Sequence, residues 1–468
     1  MNVESPQRKK FKKMSTMIRT EIISRRCIKP TSPTPSHLKS FKISLLDQIS
    51  PNIHGNMTLF YSPNAAADSG AGDLLSHFSA KSQLLQNALA ETLTRFYPLA
   101  GRIRDTATVD CNDDGAVYIE ARTDTRLSDF LSHPDFDILE HFLPSTDKET
   151  MELSNGSMLL VRFTLFGCGG TAVSISLTHK IADIAALITV LQSWTAACRA
   201  RTEPDVPDLG LGASLFPPRT ILGMSASVNI AAEKFTARRF VFTGFKVGEL
   251  KSRVATSLGR DKSDDEDIDQ FHPSRVEVVL ALIWRCAMSA SRSKTGSFKP
   301  SALFQAVNLR PRMEPPVPGT AIGNFVWPFA VTVEEEKELD LHALVKKMRE
   351  GIKDFIEKKA IKFKEGGGFE AVMEFLKERG EMLKKKKETV VYKCSSWCRF
   401  PLYDVDYGWG NPVWMSSVNK MVSNTVALMD VKDGGVEALV TLNEQEMDIF
   451  EQHHELLQYA QLNPSIDI

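Results

Sequence analysis

Long uninterrupted apolar runs are missing from this 468-residue chain. The longest candidate, Met158 to Leu177, is broken by Arg162 and by Gly167, Gly169 and Gly170, which excludes a bilayer-spanning helix there. The first residues carry no hydrophobic core of a signal peptide. An excess of charge of one sign is missing too, since 57 Lys and Arg stand against 58 Asp and Glu, a formal net charge of −1. That balance offers no argument for nucleic acid or an anionic membrane as the main partner. Cysteine is sparse and scattered: Cys27, Cys111, Cys168, Cys198, Cys286, Cys394 and Cys398 form no CxxC pair, and their number is odd. This spacing fits neither a zinc site nor a disulfide framework, so no bound metal is expected and a reducing cytosol is the expected compartment. There is no phosphate-cradling Gly loop and no internal repeat.

What is present is the composition of an ordinary globular protein, 43% apolar and 25% charged, long enough for two large domains. A basic cluster, Arg8 to Lys13, precedes any periodic segment and reads as a disordered tail over residues 1–17. A nuclear or membrane-surface signal, or sequence upstream of a later start at Met14 or Met17, are the other readings. A first half spans 18–205. Residues 206–233 begin with a Pro-, Asp- and Gly-rich stretch and read as a crossover. A second half spans 234–468. Expected elements include a strand from Ile18 to Cys27, a helix from Lys81 to Phe96 and a hairpin around Asn112-Asp113-Asp114-Gly115. A second hairpin joins Leu159–Phe166 to Thr171–Thr178. Helices are expected from Ile184 to Ala200, from Ser274 to Ser291 and from Asn443 to Ala460. The Asp261–Asp269 acidic run and Lys384–Lys387 read as solvated stretches.

His179 stands where the apolar run Thr171–Leu177 gives way to a helix-like segment. It opens His179-Lys180-Ile181-Ala182-Asp183. An imidazole at a strand-to-helix turn suits a general base near pH 7. A His four residues before an Asp is nevertheless a cheap pattern, and chance supplies about 0.6 in a chain this size. The chain holds a decoy, His133-Pro134-Asp135-Phe136-Asp137, in a polar turn. Asp183 also sits where a helix N-cap belongs. A second and less common pattern is Asp406-Tyr407-Gly408-Trp409-Gly410-Asn411-Pro412, between alternating runs at Arg399–Val405 and Val413–Val418. Its two glycines around a Trp make a tight turn with a large ring, which reads as fold support.

With both patterns in view, the chain resembles the plant BAHD acyltransferases and their vinorine-synthase-like branch, which carry HxxxDG and DFGWGKP. Phe96–Arg102, Gln305–Arg312 and Ser396–Pro401 resemble the family as well. Ile184 replaces the usual Gly, Tyr407 the usual Phe and Asn411 the usual Lys. The resemblance implies an α/β fold of two similar-sized chloramphenicol-acetyltransferase-like domains with an interdomain channel. It implies transfer of an acyl group from a CoA thioester, most simply acetyl-CoA, to a hydroxyl of an alkaloid or terpenoid. The co-substrate is not a permanently bound cofactor. It implies His179 as general base and Asp183 turned away from the pocket onto Arg310. Asp406 is then structural, with Gly408, Trp409 and Gly410. Ser395 and Trp397 are implied as oxyanion donors. Ser274 and the Lys234–Arg239 stretch, with Arg238 and Arg239, are weaker candidates for the CoA phosphates. A monomer binding only small molecules is expected. Two other readings stay open: an N-acyltransferase acting on an amine, and a catalytically silent relative with a binding or regulatory role.

Overall fold

A computed structural model describes residues 18–63, 71–144, 147–200, 206–220, 234–256, 272–360, 363, 368–385, 389–417 and 423–468. The basic cluster at Arg8–Lys13, the acidic run at Asp261–Asp269 and the side chains of Lys384–Lys387 lie outside the described residues. The strands of the first half are β1 (Glu21–Ile28), β2 (Ser40–Lys42), β3 (His54–Tyr61), β4 (Arg102–Ile103), β5 (Thr108–Asp110), β6 (Ala116–Thr123), β7 (Leu159–Phe166) and β8 (Thr171–Thr178). Those of the second half are β9 (Phe235–Phe242), β10 (Ser301–Asn308), β11 (Val326–Val333), β12 (Val390–Ser396), β13 (Trp414–Ser416), β14 (Thr425–Asp430), β15 (Val436–Asn443) and β16 (Gln461–Leu462). They form a six-stranded sheet in the order β1-β6-β7-β8-β3-β13, a seven-stranded sheet in the order β11-β10-β12-β14-β15-β9-β16, and a small sheet β2-β5-β4. The fold is two sheet-rich α/β halves, as the resemblance implied.

Helices pack on the large sheets because strands such as β7 and β8 are buried along their whole length and need both faces covered. In the first half, helices Ala71–Arg95 and Ile184–Cys198 pack together, and Trp194 Nε1 donates to the Leu85 carbonyl at 3.0 Å. In the second, helix Arg275–Thr295 packs against Leu341–Asp354 and Glu444–Phe450. Two main hydrophobic cores result. Among the described residues no helix is long and apolar enough to cross a membrane.

The β7–β8 hairpin forms as expected. Its Gly-rich turn is required by close approach: a Cβ on Gly167 would meet the Asp124 carbonyl oxygen at 2.5 Å. Several expectations need correction. Asn112–Gly115 does not close a hairpin. It passes the chain from β5, which pairs with β2 and β4, to β6 in the large sheet. Gly115, at φ +89°, lies so close to β1 that a Cβ would meet the Ile28 oxygen at 2.3 Å, so the turn packs on β1 instead of reversing the chain. Arg399–Val405 is no strand; its register is interrupted by Arg399 at φ +71° and a short 3-10 turn at Leu402–Asp404. The C-terminal helix is two, Glu444–Phe450 and His454–Tyr459. Finally, β13 lies beyond the expected boundary at 234 yet pairs with β3 of the first sheet, Trp414 opposite Phe60 and Ser416 opposite Thr58.

Candidate active site

β8 ends at Thr178, and the next five residues turn into helix Ile184–Cys198. The turn is fixed at every level. The His179 N–H donates to the Ile53 carbonyl at 2.8 Å, and the His179 carbonyl accepts from Asn324 Nδ2 at 2.8 Å. Asp183 is the N-cap, accepting from the Ala186 N–H at 2.9 Å. The same carboxylate meets Arg310 bidentately, at 2.7 and 3.1 Å, and accepts from the Phe325 N–H at 3.0 Å. Both side chains are buried, 2% and 4% exposed. The Arg310 guanidinium also donates to the Ala321 and Gly323 carbonyls and stacks 4.8 Å from the Phe325 ring centre. A planar five-donor fork suits this site as a Lys would not. Asp183 therefore spends its oxygens on the fold and leaves the imidazole alone. His179 Nδ1 is buried with no hydrogen-bond partner among the described residues.

Asn324 and Asp47 escaped the sequence reading. Asp47 sits in a capping box with Ser44 and is 3% exposed. Its Oδ1 accepts from both the N–H and Nδ2 of Asn324, each at 2.8 Å. Burial pushes its carboxyl above the ordinary value, against the pull of Ser44 and Asn324. The Asn324 amide thus spans from a buried carboxylate of the first half to the carbonyl of His179. The sequence offers only Ser44-x-x-Asp47, a capping pattern, and the Gly323-Asn324 dipeptide, and neither marks a bridge between distant segments.

The Asp406–Pro412 turn is built locally. Asp406 Oδ1 accepts from the Gly408 and Gly410 N–H groups, at 2.8 and 2.9 Å. Those glycines hold φ +108° and +104°, a region that penalises other residues. Arg199 lies 3.7 Å from Asp406 Oδ2. Trp409 stacks on Tyr407, with ring centres 5.6 Å apart, and Lys81 Nζ sits 5.0 Å from its ring centre. The Tyr61 hydroxyl donates to the Val405 carbonyl at 2.9 Å, and the Val413 N–H donates to the Phe60 carbonyl at 2.8 Å. The turn thereby aims β13 into the first sheet.

Ser395 and Trp397 stand at the end of β12 and are joined to each other, Trp397 Nε1 donating to Ser395 Oγ at 3.0 Å. An indole has one donor, and here it is directed at Ser395 Oγ. Beside them lies a cavity of about 590 Å³ lined by Lys251, Ser274, Arg275, Ser396, Cys398 and Arg399 among others. Ser274 caps helix Arg275–Thr295, whose positive end faces this space. Arg238 and Arg239 are elsewhere engaged. Arg238 pairs with Glu451 at 2.9 Å, and buried Arg239 with Glu437 at 2.7 Å. Their charges are spent inside the fold, so they are not available to a phosphate. His133 is an exposed turn residue, as its context indicated. Among the described residues one group, Cys286, His453 and Glu455, brings three ligand types within 4.8 Å. Glu455 is clamped by Arg285 and by Arg253 at 2.8 Å, and two guanidiniums repel a divalent cation.

The family model described as Transferase family matches residues 18–457. A Melia azedarach protein named epi-neemfruitin B 7-O-acetyltransferase is 37% identical over 463 residues, covering 95% of this chain and 99% of its own. The chain belongs to the BAHD acyltransferases. This acyltransferase is also similar to vinorine synthase of Rauvolfia serpentina, 35% identical over 434 residues, 91% of this chain and 95% of that protein. The vinorine synthase crystal structure matches with TM-score 0.79 at 31% identity, over 96% of this chain and 99% of that one. An F. sporotrichioides protein crystallised with coenzyme A and T-2, at 16% identity and TM-score 0.65 over 90% of this chain and 99% of that chain, shares the fold.

Proposed function

We propose that this acyltransferase uses acetyl-CoA to acetylate a hydroxyl of an alkaloid or terpenoid, with His179 as general base. The observation that carries the reading is the division of labour in the catalytic turn. Asp183 is committed to Arg310 and Phe325, so His179 acts as a single base held by its backbone. His179 Nε2 takes the acceptor hydroxyl proton as the oxygen attacks the thioester carbonyl carbon. The oxyanion collapses, the C–S bond breaks, and the imidazolium returns the proton to the CoA sulfur. No covalent enzyme intermediate is needed. General-base catalysis of this kind contributes about 10²–10⁴-fold, and binding both substrates in one orientation contributes much of the remainder. The Ser395 hydroxyl, polarised by Trp397, donates to the oxyanion.

The cavity at Ser396 receives the CoA arm. Lys251, Ser274 and the N-terminus of helix Arg275–Thr295 suit its phosphates. The hydroxyl acceptor is favoured by the 7-O-acetyltransferase name of the Melia relative. In this reading 18–205 and 234–468 are the two acyltransferase units, joined by the crossover at 206–233, and the acceptor enters between them from the face opposite CoA. The test is purified enzyme with acetyl-CoA and a panel of triterpenoid and alkaloid alcohols and amines, analysed by mass spectrometry, with His179→Ala as control. Acetylated alcohol that disappears in the control supports the reading. Full activity in His179→Ala, or acetylation of amines alone, overturns it.

A further inference from the structure

Lys180, one residue past the general base, has a side chain that the acyl-transfer steps do not use. It is half-buried, and its Nζ donates to the Gln48 carbonyl at 2.9 Å. Burial pulls the ammonium below its ordinary value while Asp47 pulls it back up. Gln48 is 7% exposed and holds the crossover. Its Nε2 donates to the Arg219 carbonyl at 3.0 Å, and its Oε1 accepts from the Arg219 N–H at 2.9 Å. One side-chain amide thus satisfies both backbone groups of a residue 171 positions away, as a neighbouring strand would. Close by, the Leu45 N–H donates to the Phe216 carbonyl at 2.9 Å. On its far side Phe216 meets Phe325 edge-on, ring centres 6.4 Å apart, and Phe325 is the residue whose N–H bonds Asp183. The described part of the crossover therefore connects to the catalytic turn by two routes, through Gln48 and Lys180 and through Phe325 and Asp183.

We propose that residues 216–219 form a strap that positions the catalytic turn, docked by Gln48, with Lys180 as the positioning residue that transmits the docking to His179. A misplacement of about 1 Å at a reacting group is enough to cost up to about 100-fold in rate, so a strap need not touch substrate to matter. The charged and titratable groups around the turn are Asp47 and Lys180 on one side, Asp183 and Arg310 on the other, His54 on the adjoining strand and Arg219 on the strap.

The proposal rests on His179 being the general base, and its test keeps the two apart. Gln48→Leu removes both bonds to Arg219, and Gln48→Glu keeps the shape but loses the donor. Trypsin should cut after Arg219 in Gln48→Leu, more slowly in Gln48→Glu, and slowest in the wild type. Lys180→Met should lower kcat about tenfold with the KM for acetyl-CoA within about twofold. Both are read by release of CoA thiol with the same alcohol panel. Lys180→Arg, which keeps a donor, should restore kcat. Equal tryptic cleavage in all three proteins, or wild-type kcat in Lys180→Met, overturns the strap. If His179→Ala is inactive while Lys180→Met is unchanged, the strap alone fails. If His179→Ala is fully active, the general-base reading fails with it.

Discussion

Asp183 closes one signature motif and Asp406 opens the other, the same side chain used in opposite ways. Asp183 gives its oxygens to Arg310 and the Phe325 N–H, 127 and 142 residues away. Asp406 gives one oxygen to N–H groups two and four residues away. The first is buried between the halves and the second is 26% exposed. The difference teaches what each motif is for. The HxxxD turn is an assembly point, where a residue of the first half is held by residues of the second. The Asp406 turn is a local device that shapes its own backbone and so aims β13. Each motif aspartate is thus engaged in shaping the fold around it.

The comparison can be broken first at the imidazole. His179→Ala should lower kcat about 10³-fold while leaving the melting temperature near wild type, because His179 is held through its backbone N–H and carbonyl. A large loss of stability in that variant would mean that the ring itself supports the fold. Next comes the assembly point. Arg310→Met or Asp183→Asn should each cost about 3–5 kcal/mol, measured by urea unfolding, since either leaves a buried charge or polar group without its partner. The double variant should cost less than the sum of the two. Native stability with complete loss of turnover in Asp183→Asn would restore a direct chemical role for the carboxylate. Smaller again is Asp406→Ala, expected to cost about 1–2 kcal/mol through two unmatched backbone donors, softened by solvent access. Turnover should be retained per folded molecule.

The sequence reading succeeded where information is local and failed where it is not. His179, Asp183 and the N-cap before Ile184 were visible because a strand pattern, a polar turn and a helix pattern follow one another within twenty residues. Arg310 was reachable only through the family resemblance, and it lies where that resemblance placed it. Asp47 and Asn324 were not legible, since 277 residues separate them and neither belongs to a pattern that distinguishes a buried bridge from an ordinary cap or turn. The Asn112–Gly115 turn was misread for a related reason. Its residues specify a reversal-competent backbone, but the Ile28 carbonyl packed against Gly115 decides which strand comes next. Arg238 and Arg239 stood as candidates for the CoA phosphates because a strand sequence does not reveal Glu451 and Glu437 paired with them.

The smallest effect sharpens the contrast most, because it concerns a residue where this chain departs from its family. Tyr407 packs its ring under Trp194 and beside Trp409, with centres 4.9 and 5.6 Å away. Its hydroxyl is buried and has no partner among the described residues. Burial and the nearby Tyr61 drive that phenol well above its ordinary value, so it stays neutral and carries only the cost of lost hydration. A buried, unmatched hydroxyl costs about 1 kcal/mol or more, whereas the ring alone fills the same volume. Tyr407→Phe should therefore stabilise the protein by about 1 kcal/mol in urea unfolding, with kcat and both KM values unchanged, since the turn shapes backbone and holds no substrate. A destabilised Tyr407→Phe would show that the hydroxyl is matched, by an ordered water or by a rearranged neighbour. A changed kcat would show that the Asp406 turn reaches the reacting groups after all, and the separation between the two motifs would fall.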